Sequence, residues 1–182
     1  MRAIQAVAVR RFALDGFEAV TIDMIAAEAA VSPSTVYRYF GVKEQLVVWD
    51  EHDAAIEAAL GQQFGKLPPF DALATAFATA YDLSNEQLAA LRERAGLIDS
   101  TPALLAHQIA SLNLERAALT KALTKAYRSR GRELCLDLVA RIAITALLAG
   151  FERWQSSRSR KSLSTWITEA FDAARAAVDA PR

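Results

Sequence analysis

Apolar side chains recur at every third or fourth position along most of the chain, and the strict alternation typical of β-strands is nearly absent. Alanine, a strong helix former, is the commonest residue. We therefore predict an all-α protein of about nine helices. The predicted helices cover residues 3–14, 22–29, 33–40, 43–61, 70–82, 85–98, 102–128, 134–154 and 165–178.

Cap residues mark several of the predicted helix ends. Thr21 and Ser32 stand where N-caps are expected, and Pro33 occupies the first helical position, where a missing N–H costs nothing. Gly16 follows the first helix as a C-cap signal. These residues predict two short helices between residues 21 and 40.

Two consecutive prolines divide the chain into parts of different character. Pro68 and Pro69 interrupt the helical pattern, with short helices before them and longer helices after them. We expect a first domain at residues 1–48, a connecting helix at 49–67 and a second domain at 68–182.

The two short helices have clearly separated faces. Ile22, Ile25, Ala26 and Ala29 face inward on the first, and Val36 and Phe40 face inward on the second. A helix of about two turns is too short to fold alone, so the preceding helix must hold it. Its outward positions are rich in hydrogen-bonding groups: Ser34, Thr35, Tyr37, Arg38 and Tyr39. This arrangement is typical of a helix-turn-helix whose second helix enters a DNA major groove, and Lys43 follows where a cation can meet a phosphate.

Residues 16–46 resemble the N-terminal DNA-binding domain of the tetracycline-repressor (TetR) family of transcriptional regulators. The matching residues are Gly16, Phe17, Thr21, Ile25, Ala26, Val31, Ser32, Thr35, Tyr37, Tyr39, Phe40, Lys43, Glu44 and Leu46. The resemblance implies a three-helix DNA-binding domain, a helical ligand-binding and dimerisation domain behind it, and a homodimer on a palindromic double-stranded operator. It also implies phosphate contacts at Thr21 and Lys43, and a DNA-facing set of Ser32, Ser34, Thr35, Tyr37, Arg38 and Tyr39.

Three features depart from the family pattern. Ala30 stands where the family usually has glycine, and a positive φ there would cost about 1 kcal/mol. Val42 stands where a Ser or Asn cap is common, so the next helix is less well capped. Only Arg2 represents the basic arm of many members, so either the arm is absent or the true start lies upstream.

The charges balance both globally and locally. Lys plus Arg total 21 and Asp plus Glu total 21 over the whole chain. Residues 1–49 also carry equal numbers of bases and acids, which predicts few phosphate contacts and a shallow dependence of DNA affinity on salt. The alternative for Tyr37 and Tyr39 is ordinary aromatic packing, which Val36 and Phe40 disfavour because they already occupy the inward positions.

The second domain contains candidate ligand residues on a mostly apolar background. Arg116 interrupts an apolar stripe that includes Leu112, where it could meet a carboxylate or phosphate of a ligand, or else pair with a protein carboxylate or reach the surface. His107 and Ser111 lie one turn apart and could reach the same cavity. Phe77 and Tyr81 are candidate pocket walls, with simple core packing as the alternative.

A second, shorter resemblance concerns residues 94–108 together with Trp49, Asp50 and Glu51. This pattern is similar to TetR proteins of the mycofactocin-regulator type, whose C-terminal domains are grouped as acyl-CoA-like ligand binders. It implies a small apolar or amphipathic effector.

The last two predicted helices look like the dimer-forming pair of the family. The helix at 134–154 is apolar on nearly every face except for a stripe of Asp137, Arg141 and Thr145. Its partner is the helix at 165–178, and the two could form a four-helix interface or only close the chain's own core. The candidate interface residues are Leu147, Phe151, Trp154, Trp166 and Phe171. The basic run Arg158, Arg160 and Lys161 is expected to be a solvated loop.

Several classes of protein are disfavoured. His52 and His107, the two histidines, fall in different predicted domains, and Cys135, the one cysteine, lies in an apolar helix, so we expect no enzyme, metal site or cofactor. Charges within the most apolar stretch argue against a membrane span, and no signal peptide is evident, so a cytoplasmic protein is expected.

These patterns favour a dimeric DNA-binding repressor that a small ligand releases from its operator. The rival hypothesis is a helical small-molecule binding protein with a vestigial DNA-binding domain, which the neutral first domain, Ala30 and Val42 make plausible.

Overall fold

The computed structural model describes residues 1–127, 131–157 and 159–179, and these form helices without any β-strand, which confirms the all-α prediction. The described residues contain ten helices: α1 (Arg2–Asp15), α2 (Ile22–Glu28), α3 (Pro33–Phe40), α4 (Gln45–Val48), α5 (Asp53–Gln63), α6 (Pro69–Ala80), α7 (Asn85–Ser100), α8 (Pro102–Ala126), α9 (Glu133–Ser156) and α10 (Leu163–Asp179). Arg128, where the eighth predicted helix was to end, lies outside the described residues, as does Arg158.

The single helix predicted at 43–61 is wrong, because the structure has two helices there. Helix α4 ends at Val48. The next residue, Trp49, has a ψ of 124°, which is extended rather than helical, and α5 begins only at Asp53. The half-buried carbonyl of Trp49 accepts hydrogen bonds from Gln5 Nε2 at 2.7 Å and from Arg94 Nη1 at 2.6 Å. Side chains distant in sequence therefore hold the break, and the local helical pattern contains no sign of them.

The chain forms two compact units, of which the first contains Met1–Glu51 together with Ala89–Leu112. Its core combines residues 4–47 with the last turn of α7 and the first turn of α8. The buried residues include Ile4, Ala8, Phe12, Val20, Ile25, Ala26, Val36, Phe40, Leu46, Ile98 and Leu104. Each of α1 to α4 is too short to bury a large core alone, so the additional helix ends supply apolar surface that the sequence did not assign to this domain.

The second unit contains His52–Leu88 and the described residues from Asn113 onward. Helices α9 and α10 approach each other closely because Gly150 has no side chain: a Cβ built there would lie 2.9 Å from Ile167 Cα. Small residues Ala140, Ala143 and Ala146 continue this buried face of α9. The centre of the second unit is therefore a close helix pair covered by α6.

Among the described residues, α9 is the one helix that is long and apolar enough to cross a membrane, by length and composition alone. Its polar stripe is used within the unit, since Arg141 Nε donates to Asp137 Oδ2 at 2.6 Å and Thr145 donates to the Arg141 carbonyl at 2.9 Å.

Candidate nucleic-acid interface

Helices α2 and α3 begin at the caps that the sequence predicts. The Thr21 hydroxyl accepts a hydrogen bond from Met24 N at 3.2 Å, and the Ser32 hydroxyl accepts one from Thr35 N at 3.2 Å. Each cap satisfies a main-chain donor that the first turn of a helix leaves without a partner. Both helix starts are therefore fixed by local chemistry.

The turn between α2 and α3 requires a left-handed residue. Ala30 has φ 53°, and it is the one non-glycine residue with positive φ in the described chain. The amide of Val31 donates to the Ala26 carbonyl at 2.9 Å and closes the turn. The condition named for Ala30, a positive φ, is therefore met, and the energetic cost of the missing glycine stays a prediction.

The two faces of α3 are separated as the periodicity predicts. Val36 is fully buried and Phe40 nearly so, whereas Tyr37 and Tyr39 are 54% and 51% exposed. Arg38 is also exposed, and its guanidinium carbon lies 5.0 Å from the centroid of the Tyr39 ring. The alternative of buried tyrosines is not what the structure shows.

Hydroxyl groups crowd the N-terminal end of α3. Ser32 Oγ lies 2.9 Å from Ser34 Oγ and 2.9 Å from Thr35 Oγ1, in addition to its cap bond. Ser32 and Ser34 are exposed, and Thr35 is half-buried. Exposed hydroxyls at a helix N-terminus can turn to donate to a phosphate, and the N-terminal end of the helix also favours a negative charge.

Lys43 lies between α3 and α4 and contacts the loop before α2. Its ammonium nitrogen donates to the carbonyls of Phe17 at 2.6 Å and Val20 at 3.1 Å, and it lies 4.2 Å from the Phe17 ring centroid. The side chain is half-buried. The helix that follows Lys43 has no side-chain cap, as the exposed Val42 suggests.

The arginines of α1 form ion pairs with nearby carboxylates. Arg10 and Arg11 both pair with Glu28, and Arg11 also contacts Asp15 at 3.0 Å, while Arg2 pairs with Glu51. The hydrogen bond from Arg11, followed by that from Arg10, lowers the pKa of the Glu28 carboxyl, and the same bond to Glu28 is the main reason that the pKa of Arg11 is raised.

Arg38 stands apart from these pairs. Within residues 1–49 it forms no ion pair with a described carboxylate, and it projects beside Tyr37 and Tyr39. The exposed face of α3 therefore combines a cation, two phenols and hydroxyls, which are the groups that contact phosphates and base edges.

The predicted ligand residues are divided between the two units. His107, Ser111 and Leu112 belong to the first unit, where His107 Nε2 lies 2.9 Å from Gln45 Oε1, whereas Phe77, Tyr81 and Arg116 belong to the second. That His107 and Ser111 reach one cavity stays a prediction. The physical reason for the division is that α8, with 25 residues, is long enough to serve both units.

Phe77 and Tyr81 are buried in the second unit by other aromatic rings. The Tyr81 ring centroid lies 4.9 Å from that of Phe151 and 5.5 Å from that of His52, and Phe77 lies 6.1 Å from Phe171. Core packing, the alternative named for these two residues, is what the structure shows.

Arg116 pairs with a protein carboxylate. Its Nη1 donates to Asp137 Oδ1 at 2.6 Å, and the Thr120 hydroxyl donates to the same oxygen at 3.1 Å. The hydrogen bond from Arg141 is the main reason that the pKa of Asp137 is lowered; burial, the next effect in size, raises it, and the hydrogen bond from Thr120 lowers it again. The Nε of Arg116 is buried and has no hydrogen-bond partner in the described structure.

A groove of the second unit lies along α6 and α10 and has a volume of about 790 Å³. Apolar side chains such as Phe171 line it together with hydroxyls and carboxylates, which include Thr75, Thr168, Asp82 and Asp172. None of the six predicted ligand residues lines it. The sequence therefore did not locate this groove.

Three of the predicted interface residues are instead part of the core of the second unit. Leu147, Trp154 and Phe171 are buried within the chain itself, so their side chains are not available to a partner in this conformation. Closure of the chain's own core, the alternative named for this helix pair, is what the structure shows for these three, because the close approach at Gly150 turns the apolar faces of α9 and α10 toward each other. Phe151 and Trp166 are half-buried.

Two residues that the sequence analysis missed position the end of α4. Gln5 and Arg94 both donate to the Trp49 carbonyl. Gln5 is a polar residue at a buried position of α1, and that conflict in the helical pattern was a usable signal. No comparable sequence signal marks Arg94.

Comparisons with known proteins give consistent matches over both units. Residues 4–48 match the family model described as bacterial regulatory proteins, tetR family, and residues 67–179 match the one described as MftR C-terminal domain. A Mycobacterium tuberculosis protein that carries the name of a mycofactocin biosynthesis transcriptional regulator, MftR, is 26% identical over 179 residues, covering 97% of this chain and 89% of the relative.

Solved structures agree with the fold. The fatty acid degradation regulator FadR from Bacillus halodurans superposes with a TM-score of 0.60 at 18% identity, covering 100% of this chain and 99% of its own. A TetR-like transcriptional regulator from Rhodococcus sp. RHA1 gives 0.55 at 18% identity, covering 99% and 96%. These likenesses concern the fold alone.

Proposed function

Since the chain belongs to the tetR family of bacterial transcriptional regulators, with a C-terminal domain of the MftR type, we propose that it is a one-component repressor. In this proposal the protein binds a palindromic operator as a homodimer. A small apolar or amphipathic ligand binds in the second unit and releases the protein from DNA.

The exposed face of α3 is the observation that carries this proposal. A helix of eight residues holds Val36 and Phe40 in the core while it presents Tyr37, Arg38 and Tyr39 to solvent. Phenol and guanidinium groups that lie side by side on the exposed face of a short helix are free to contact a partner. A DNA major groove accepts such a helix, and phenol, hydroxyl and guanidinium groups can hydrogen-bond to base edges and phosphates.

The size of this helix supports a dimer on a two-part operator. One recognition helix contacts only a few base pairs, and helix-turn-helix proteins generally reach useful affinity by placing two such helices in successive major grooves. We propose that α9 and α10 form the interface with those of a second copy. The exposed Leu134 and Leu138 of α9 support this assignment, since they lie on a surface that the chain itself leaves uncovered.

The effector is proposed to be an amphipathic molecule, including acyl-CoA-like ones, because the second unit matches the MftR C-terminal domain. Arg116 is the cation that would meet an anionic group of such a ligand. It now pairs with Asp137, so the ligand would have to displace this carboxylate. Competition between the ligand and Asp137 for Arg116 would couple ligand binding to the contact between α8 and α9. The ligand would thereby favour a dimer whose α3 helices no longer fit two successive major grooves of DNA.

The proposal places the protein in the cytoplasm, where its DNA partner is, with neither enzymatic activity nor membrane attachment. The relatives named above are regulators, which is consistent with a protein that does not catalyse a reaction.

A gel-shift assay tests the DNA part of the proposal. The probes are the protein's own promoter region and, because of the relative from M. tuberculosis, promoters of mycofactocin biosynthesis genes. We expect the wild type to bind and Tyr39→Ala to lose about tenfold or more in affinity, the loss expected for one good base contact. Leu14→Ala, another exposed apolar side chain but at the end of α1, should bind like the wild type.

Loss of binding to every selected duplex at low salt would contradict the proposal. Unchanged promoter control by Tyr39→Ala in cells, with ligand affinity intact, would favour the vestigial DNA-binding domain instead. Native mass spectrometry of the protein purified from its own host would identify a co-purified effector.

A further inference from the structure

Lys43 connects two segments that are separate in the sequence. It lies between α3 and α4, and its ammonium nitrogen binds the loop between α1 and α2 through the carbonyls of Phe17 and Val20, at 2.6 and 3.1 Å. The same nitrogen lies 4.2 Å from the Phe17 ring centroid, within the range of a cation–π contact. One side chain therefore joins the segment that precedes α2 to the segment that follows α3.

Lys43 donates to both carbonyls where the main chain of the described residues does not. Outside the helices, no main-chain amide of residues 1–127 donates to the oxygen of Phe17 or Val20. Val20 is fully buried and Phe17 nearly so, which makes this loop part of the core of the first unit. Charge-assisted hydrogen bonds to such carbonyls are stronger than neutral ones, so the lysine fixes the loop rather than merely covering it.

This connection closes the helix-turn-helix at its open end. The start of α3 is fixed by the Ser32 cap and its middle by Val36, but its last turn is followed by Gly41, which has φ 73° and no side chain. Lys43 is the next polar residue after this glycine and returns the chain to the loop before α2. The orientation of α3 relative to α2 is thus set at both ends.

We infer that Lys43 is a positioning residue for the recognition helix and not a phosphate contact. The inference rests on the proposed function, in which α3 binds DNA, and it assigns to Lys43 the task of holding α3 through the Phe17–Val20 loop. An ammonium has three donors, of which two bind these carbonyls. A direct phosphate contact and the positioning role predict different dependences of DNA affinity on salt concentration.

The test compares Lys43→Met, which removes charge and donors at nearly constant length, with Lys43→Arg, which keeps both. Arg38→Met serves as the matched control, since it removes an exposed cation without a described carboxylate partner. The probe is a 30-base-pair duplex recovered by selection from a random library with the wild-type dimer. Its affinity is measured by fluorescence anisotropy over a series of KCl concentrations.

We expect Lys43→Met to bind the duplex about tenfold or more weakly, with the slope of log affinity against log salt unchanged. Lys43→Arg should recover most of the affinity. Arg38→Met should lower the slope by about 0.9 per subunit, the value for one lost phosphate contact. A fall of that size for Lys43→Met would overturn the inference and make Lys43 a phosphate contact.

Amide hydrogen exchange of the free protein provides an independent measurement. Lys43→Met should accelerate exchange in residues 17–24 by about tenfold or more relative to Lys43→Arg, and leave α9 and α10 unchanged. Unchanged exchange in residues 17–24 would overturn the inference. If selection with the wild type recovers no duplex, the proposed function fails, and faster exchange would then show Lys43 to hold the loop without any role in DNA binding.

Discussion

The guanidinium of Arg94 donates a hydrogen bond to the main-chain carbonyl of Trp49 over a distance of 2.6 Å. The two residues are 45 positions apart, in α7 and at the end of α4. The same guanidinium lies 3.6 Å from the Asp50 carboxylate. Since the carbonyl lies where the helix breaks, this contact stabilises a conformation that the local sequence does not favour.

Arg94→Met is therefore expected to lower the unfolding free energy by about 2 kcal/mol, because a half-buried carbonyl loses a charged donor. Urea denaturation of the wild type and the variant measures this difference. Lys121→Met, which removes an exposed cation from α8, should stay within about 0.5 kcal/mol of the wild type. Equal stability of the two variants would show that the Trp49 carbonyl does not need Arg94.

Replacement of Ala30 by glycine should stabilise the protein. Ala30 has φ 53°, and a Cβ in the left-handed region raises the energy of the turn. After allowance for the greater freedom of glycine in the unfolded chain, we expect a gain of about 0.5–1 kcal/mol. Ala29→Gly is the matched control, since Ala29 has φ −78°, and it should be neutral or destabilising. Thermal unfolding distinguishes the two, and a loss of stability in Ala30→Gly would contradict the strain.

Gly150→Ala should destabilise the second unit by about 1–3 kcal/mol, because the new Cβ would lie 2.9 Å from Ile167 Cα and would force α9 and α10 apart. Gly96→Ala offers the opposite case, since nothing lies within 4 Å of a Cβ at this helical position. That variant should gain about 0.5–1 kcal/mol from reduced backbone freedom. Urea denaturation of both variants tests the contrast, and a neutral Gly150→Ala would mean that the helix pair can separate without cost.

Acidic pH should lower the free energy of unfolding because Glu28 and Asp137 become protonated. Hydrogen bonds from Arg11 and Arg10 lower the pKa of Glu28, and those from Arg141 and Thr120 lower the pKa of Asp137. Groups with a lowered folded-state pKa stabilise the protein above their unfolded pKa of about 4, and this contribution disappears as the pH falls through the folded-state value.

The urea midpoint of the wild type should consequently fall between about pH 5 and pH 3. Glu28→Gln should have a lower midpoint than the wild type at pH 7, with the two curves converging at acidic pH. Because the Glu28 pairs are largely exposed, 0.5 M KCl should reduce the difference at pH 7. Parallel curves for the wild type and the variant over the whole range would contradict the assignment to Glu28.

The sequence alone determined the elements whose causes are local. The caps at Thr21 and Ser32 and the outward face of α3 each depend on residues within one or two helical turns, whereas the left-handed conformation at Ala30 was only a condition drawn from the family resemblance. Hydrophobic spacing then assigned Val36 and Phe40 to the core, because a short helix has only one side that can be buried. The DNA-facing residues could be named on this basis, although their contacts with DNA remain predictions.

Tertiary structure decided everything that depends on partners distant in the sequence. The break at Trp49 is held by Gln5 and Arg94, and the Lys43 ammonium is directed to the loop before α2 instead of to solvent. Apolar periodicity likewise indicates that α9 and α10 each bury one face, but it does not identify the surface against which that face packs. The absence of a side chain at Gly150 brings the two helices together, so Leu147 and Phe171 pack inside their own chain. The hydrophobic pattern of one helix indicates which of its residues are buried, whereas the helix against which they pack depends on how well separate helices fit together.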